Sequence, residues 1–328
     1  MKQLLFLLMA GAVLATPRMA QACDVCGCSG GGGYFGILPQ FQRHFVGMRW
    51  QERVLDSYSP ATSLESASNG HSVFRTLDIW GRWYPLRRLQ ILAFMPVHFF
   101  EQTENESIVR TRGLGNASLM ANYTVFNTGD SLMRTWKHSF QIGGGVQLPT
   151  GPYRLTDSDG VRYHANLQPG SGSTDALINL IYTLRRGSVG MQVDAQTRIN
   201  TTNANQYRFG NRQNAALRLF WWKKLNNTIS ILPRAGVSLD VAQKDVWYDS
   251  RQRETGGSMV FADVGADVYL GNLAIGAGFQ KPLQYNLGTG GITPRGNLNI
   301  SATWAFGREK KISMPAVPAF RNVGVPNQ

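Results

Sequence analysis

After its first fifteen residues this chain has no long apolar run. No later stretch approaches the roughly eighteen consecutive apolar residues of a membrane-crossing helix, so no such helix is expected downstream. Cysteine is nearly absent. The three present are Cys23, Cys26 and Cys28, so nothing beyond residue 28 is held by a disulfide. Acidic residues are scarce beside basic ones, 20 against 33, which leaves a formal net charge of +13. The five histidines, His44, His71, His98, His138 and His164, form no HxxxH or HxxH pair. No HExxH, GxSxG or phosphate-binding loop occurs. His98 and Asp78, on strands expected to be neighbours, come nearest to a hydrolytic pair, but no nucleophile accompanies them. No enzyme is expected.

What is present begins with a leader. Met1-Lys2-Gln3 is a charged tip, Leu4 to Ala15 is apolar, and Ala20-Gln21-Ala22 supplies small residues where a signal peptidase cuts. Residues 1–22 therefore read as a secretory signal peptide. Export argues against nucleic acid as the partner of the positive charge. The remaining readings are anionic headgroups of outer-membrane lipid and lipopolysaccharide at a membrane rim, or a cationic lumen.

From about Arg43 to Phe306 the chain alternates apolar and polar side chains. In Asn297 to Phe306, Leu298, Ile300, Ala302, Trp304 and Phe306 share one face, and Asn297, Asn299, Ser301 and Thr303 the other. Such alternation is the period of a strand with one greasy face and one polar face. Twelve such segments are legible, near 43–54, 72–84, 87–102, 115–126, 135–148, 174–184, 188–200, 212–222, 228–241, 258–270, 273–282 and 295–306. The gaps alternate in length, with long ones near 56–71, 103–114, 149–173, 201–211, 242–257 and 283–294. Strands long enough to cross a bilayer, joined by short turns at one end and long loops at the other, are the pattern of an outer-membrane barrel. The expected fold is an all-β, antiparallel, up-and-down transmembrane barrel of about twelve strands, with both termini in the periplasm. The expected divisions are the signal peptide, a Cys/Gly-rich periplasmic segment at 23–42, the barrel at 43–307 and a periplasmic tail at 308–328.

Charged side chains cannot face hydrocarbon without a cost of several kcal/mol each. Those on the strands are therefore expected to line the lumen: Asp78, Arg82, His98, Asp175, Asp194, Arg198, Arg218, Arg234, Asp240, Asp263 and Asp267. Their mixed signs point to ion pairs inside the barrel. Two readings of such a lumen stay open, a lined pore that passes a small solute and a polar core with no path through it. The loop at 149–173 is the candidate for setting access, because long ordered loops often carry function.

Cys23-Asp24-Val25-Cys26-Gly27-Cys28 packs three thiols into six residues. Thiolates this close can share one soft ion, Cu(I) best and Zn(II) next, and could do so on behalf of a periplasmic metal-handling partner. Lipidation of Cys23 and a disulfide in the oxidising periplasm are the competing readings. Metal binding by these cysteines in a non-conducting barrel is the alternative to a solute channel.

One stretch carries a resemblance. Leu148-Pro149-Thr150-Gly151 is followed by Gln168-Pro169-Gly170-Ser171-Gly172-Ser173-Thr174-Asp175. This resembles the LPTG and QPGSGS-D signature of bacterial outer-membrane barrels of the MetA-like phenol-degradation and transporter family, itself distantly similar to the long-chain fatty-acid transporters. The N-terminal ACDVCGCS, with its glycine-rich continuation, is similar to a subgroup of such barrels in Bacteroidetes-type bacteria. The resemblance implies an outer-membrane barrel and a small, hydrophobic or metal-linked solute.

Overall fold

The computed structural model describes residues 43–59, 68–104, 107–128, 135–288 and 291–307. The expected signal peptide, the three cysteines and the expected C-terminal tail lie outside the described residues. Twelve barrel strands run in chain order: β1 His44–Ser59, β2 Ser68–Leu86, β3 Leu89–Glu104, β4 in two pieces (Ser107–Leu114 and Ser118–Asn127), β5 Trp136–Gln147, β6 Asp175–Arg186, β7 Val189–Ile199, β8 Arg212–Trp221, β9 Ile229–Ala242, β10 Gly257–Leu270, β11 Leu273–Leu287 and β12 Ile292–Phe306. Each pairs antiparallel with its neighbours in sequence, and β1 pairs β12 from His44 opposite Phe306 to Ser57 opposite Ile292. That last pairing closes the sheet. Closure leaves no edge of unpaired backbone groups, which is the condition for a sheet to stand in lipid.

The side chains divide as the alternation requires. Val46, Met48, Ile79, Leu119, Ile142, Ile178, Leu219, Val264, Ile300 and Trp304 are exposed on the outside. Arg49, Asp78, Gln141, Asn179, Arg218 and Asp267 are buried inside. The greasy face is thus the exposed one and the polar face the buried one, the reverse of a water-soluble sandwich. On β1 and β3 the apolar band ends at Trp50 and Phe99, whose rings lie 6.2 Å apart. Beyond them the outward positions turn charged, with Glu52 paired to Arg75 and Glu101 to Arg110, both at 2.7 Å.

At the end nearer the termini the connections are tight. Gly187 and Gly271 adopt φ of 56° and 60° in two-residue turns, a conformation glycine enters without strain. At the opposite end the connections are long. The loop expected at 103–114 is not a loop. Ser107–Leu114 continues β3 outward as a hairpin leg, pairing from Val97 opposite Leu114 to Glu104 opposite Ser107. The chain then breaks at 115–117 before β4 resumes.

Candidate functional site

The lumen is filled by its own side chains. Arg49 holds Asp78 at 2.8 Å, Arg218 holds Asp194 at 2.6 Å and Arg234 holds Asp267 at 3.2 Å, all with nearly buried side chains. A fourth pair, Arg53 on β1 with Asp240 on β9 at 4.0 Å, reaches over the three strands between them in the sheet. Pairs of this kind gain little over an apolar core, but removing one partner strands a buried charge at a cost of about 3–5 kcal/mol.

The other expected lumen residues sit nearby in separate settings. Arg82 lies 4.6 Å from the ring centroid of Phe45 and 5.6 Å from that of Tyr84, and its Nε donates to the Arg43 carbonyl. His98 bonds Thr76 through Nδ1 at 2.9 Å and packs against Phe100. Asp263 accepts from Gln280 Nε2 at 2.5 Å. Asp240 also accepts from Asn214. Arg198 is half-buried on β7, in register with Leu177 and Arg212. Asp175, at the head of β6, accepts the backbone N–H of Thr201 at 3.0 Å and so anchors the next loop rather than facing a path. The cysteines at 23, 26 and 28 are outside the described residues, and among the described residues no cluster of three or more His, Cys, Asp or Glu could hold a metal ion.

The loop after β5 is built from the recognisable motif, and Thr150, Gln168 and Ser171 each have a local task. Thr150 Oγ1 donates to the Gly115 carbonyl and accepts from the Ala117 N–H, both at 2.8 Å, which fills the break in β4. Gln168 accepts from the Leu155 N–H and donates to the carbonyls of Leu155 and Tyr163, clamping the two legs of the loop together. Ser171 accepts from Asn116 Nδ2 at 2.6 Å, and its carbonyl accepts from Asn203 Nδ2 at 2.7 Å. Gly172 takes φ of 71° beside the Tyr153 ring, where a β-carbon would overlap the ring.

Held this way, the loop drops a short helical turn, Ala165–Leu167, into the mouth of the barrel. Leu167 packs against Leu55, Phe74 and Phe100, the inward side chains of β1, β2 and β3. Its carbonyl accepts from Thr111 Oγ1 at 2.5 Å. The turn thus reaches from the β5–β6 side to the inward faces of β1, β2 and β3, where Leu167 packs as a buried apolar side chain.

Beside the turn lies a cavity of about 720 Å³, partly lined by His164, Ala165 and Gln168. Three loops enclose it: the one after β5, the one after β7 and the one after β9. Tyr153, Tyr163, Tyr207, Phe209 and Trp247 give it aromatic walls, and Arg162, His164, Arg253 and Glu254 give it polar ones. Its framework is hydrogen-bonded through Asp245. Asp245, wholly buried, accepts from Tyr207 Oη at 2.5 Å and from the Gly210 N–H at 2.6 Å, while its own N–H donates to Thr255 Oγ1. Sequence reading did not single out Asp245 or this cavity, because loops carry no periodic signal. The glycine and serine run that ends the first loop was the one available hint.

No protein-family model matches the chain, and no curated protein matches it. Solved structures superpose on it to different extents. An outer membrane channel from Pseudomonas putida F1 superposes with a TM-score of 0.58 at 12% identity, over 89% of this chain and 99% of that one. The beta domain of the Bordetella autotransporter Brka gives 0.45 at 12% identity, over 81% and 100%. A FadL homologue from Pseudomonas aeruginosa gives 0.40 at 13% identity, over 81% and 91%. At 12% identity the likeness to the Pseudomonas putida channel is one of fold. The fold is that of an outer-membrane β-barrel.

Proposed function

We propose that the protein is an outer-membrane channel for a small solute, with the cavity as its outer binding site and the loop at 149–173 as the element that sets access. The observation that carries this reading is the aromatic-walled cavity among the three loops at the mouth. Its volume falls within the range of small-molecule sites, and its aromatic walls with a few charged groups suit a mainly apolar solute with one polar end. The LPTG and QPGSGS-D resemblance to MetA-like barrels supports the reading, as does the shared fold with the Pseudomonas channel. Because the lumen is filled, passage requires Leu167 to withdraw and lumen side chains to shift, so only small molecules pass. Both termini stand in the periplasm, in keeping with short turns at their end and long loops at the other. Outward Arg75, Arg110 and Arg112 would then meet lipopolysaccharide headgroups. The cysteines at 23, 26 and 28 are proposed, on spacing alone, as a Cu(I) or Zn(II) site that serves a periplasmic partner.

The test is conductance in planar bilayers, comparing the full chain with a variant in which residues 155–167 are replaced by a short Gly-Ser link. The full chain should give small, infrequent steps. The shortened loop should raise their frequency or size severalfold. Silence from both would sink the channel reading.

A further inference from the structure

One wall of the lumen differs from the rest. Along β4 from Ser118 to Thr124, β5 from Ser139 to Gln147 and β6 from Leu177 to Thr183, the chain carries no charge. The four ion pairs lie on β1, β2, β7, β8, β9 and β10 and leave this wall unlinked. Its inward polar groups are amides and hydroxyls, and many lack partners. Both side-chain polar atoms of Asn179 are without a hydrogen bond, as are Asn122 Oδ1, Gln141 Oε1, Ser139 Oγ and Thr183 Oγ1. Gln192 Oε1, on the adjoining β7, is in the same state. All six residues are at least nine-tenths buried.

These groups form one patch. Asn122 lies in register with Gly143, and Gly143 with Asn179. A β-carbon at Gly143 would overlap the Oδ1 atoms of both asparagines, so the two amides converge on one place that only glycine leaves free. Nearer the termini, Ser139 is in register with Thr183, and Thr183 with Gln192. Towards the mouth the same wall turns apolar at Met120 and Leu177, which pack with Leu92, Ile181 and Phe94. On β6 the inward apolar side chains Leu177 and Ile181 thus alternate with the bare groups of Asn179 and Thr183.

Buried polar groups without partners are rare in folded proteins, and each calls for an explanation. Six on neighbouring strands, gathered in one patch, call for a common one. We infer that the path through the barrel follows the β4–β6 wall, and that the amide and hydroxyl patch there is a subsite for uncharged solutes bearing hydroxyl or amide groups. The inference rests on the channel reading above. A passing hydroxyl or amide exchanges hydrogen bonds with these groups in turn. An ion finds no counter-charge on this wall to offset its loss of water.

The experiment uses proteoliposomes of the full chain, with erythritol and potassium chloride as probes. The variant is N179L/T183V, which replaces orphaned polar groups with apolar ones of similar shape and so should leave thermal stability unchanged or raised. Its folding is checked by the heat-dependent gel shift of intact barrels. Erythritol flux should fall about tenfold in this variant, while Thr183→Ser, which keeps the hydroxyl, should stay near the wild-type rate. Wild-type erythritol flux should exceed that of potassium chloride. Erythritol flux unchanged in a folded N179L/T183V, or a wild-type barrel that passes potassium chloride but not erythritol, would overturn this inference and leave the channel standing. A wild-type barrel that passes neither would overturn both.

Discussion

Gly170 decides whether the mouth loop can fold down. Its backbone lies so close to that of Gly151 that a β-carbon would overlap the Gly151 carbonyl, and no flexible side chain is there to give way. Gly170→Ala must therefore part the two legs of the loop, with an overpacking cost of about 1–3 kcal/mol. The barrel strands do not share that strain. Arg154 and Arg162 sit exposed on the loop, so trypsin reads the outcome. Cleavage there should be roughly tenfold faster in the variant, with thermal unfolding of the barrel unchanged. An equal cleavage rate would mean that the loop closes without this contact. At this scale the sequence was half legible. Charges such as Asp78 and Arg218 could be assigned inward, because hydrocarbon excludes them. Their partners could not. Arg53 meets Asp240 only through the curvature of the closed sheet, and Leu167 meets Phe100 only because a loop crosses the mouth.

The fourth strand shows where element reading failed and why. Ser107–Leu114 does alternate, but its outward positions include Arg112, level with Phe99 at the end of the apolar band, and Arg110, beyond it opposite Glu101. A pattern that expects grease outside sees no strand there. The eleven other strands fall within a few residues of their expected bounds, since their outward faces stay apolar through most of their length. The break that follows depends on a single hydroxyl. Thr150 satisfies the Gly115 carbonyl and the Ala117 N–H together. Thr150→Ala leaves both unpaired and should lower unfolding free energy in detergent by about 1–3 kcal/mol, while Thr150→Ser, which keeps the hydroxyl, should recover most of it. Chemical denaturation of the three proteins measures this. Equal midpoints would show that water replaces the hydroxyl without loss.

For the whole molecule the controlling fact is inversion: the exposed surface is apolar and the buried interior is ionic. Twelve strands close without an edge because their number is even and their hairpins are sequential, and both features could be read from the rhythm of the chain. What the rhythm could not tell is that the interior is filled. Outward charge is a different matter from inward charge in such a molecule. Leu219, exposed on β8 between Leu217 and Trp221, belongs to the apolar band. Leu219→Arg places a cation where hydrocarbon should be and should destabilise the barrel in bilayers by about 2–4 kcal/mol. Arg75→Ala, beyond the band, should change stability by less than about 0.5 kcal/mol, since it removes only an exposed ion pair with Glu52. Folding titrations into lipid vesicles compare the two. In detergent, where the belt adapts to the protein, the Leu219→Arg penalty should shrink. A penalty of equal size in both media would mean that Leu219 packs against protein rather than lipid, and the band would then be an interface between barrels.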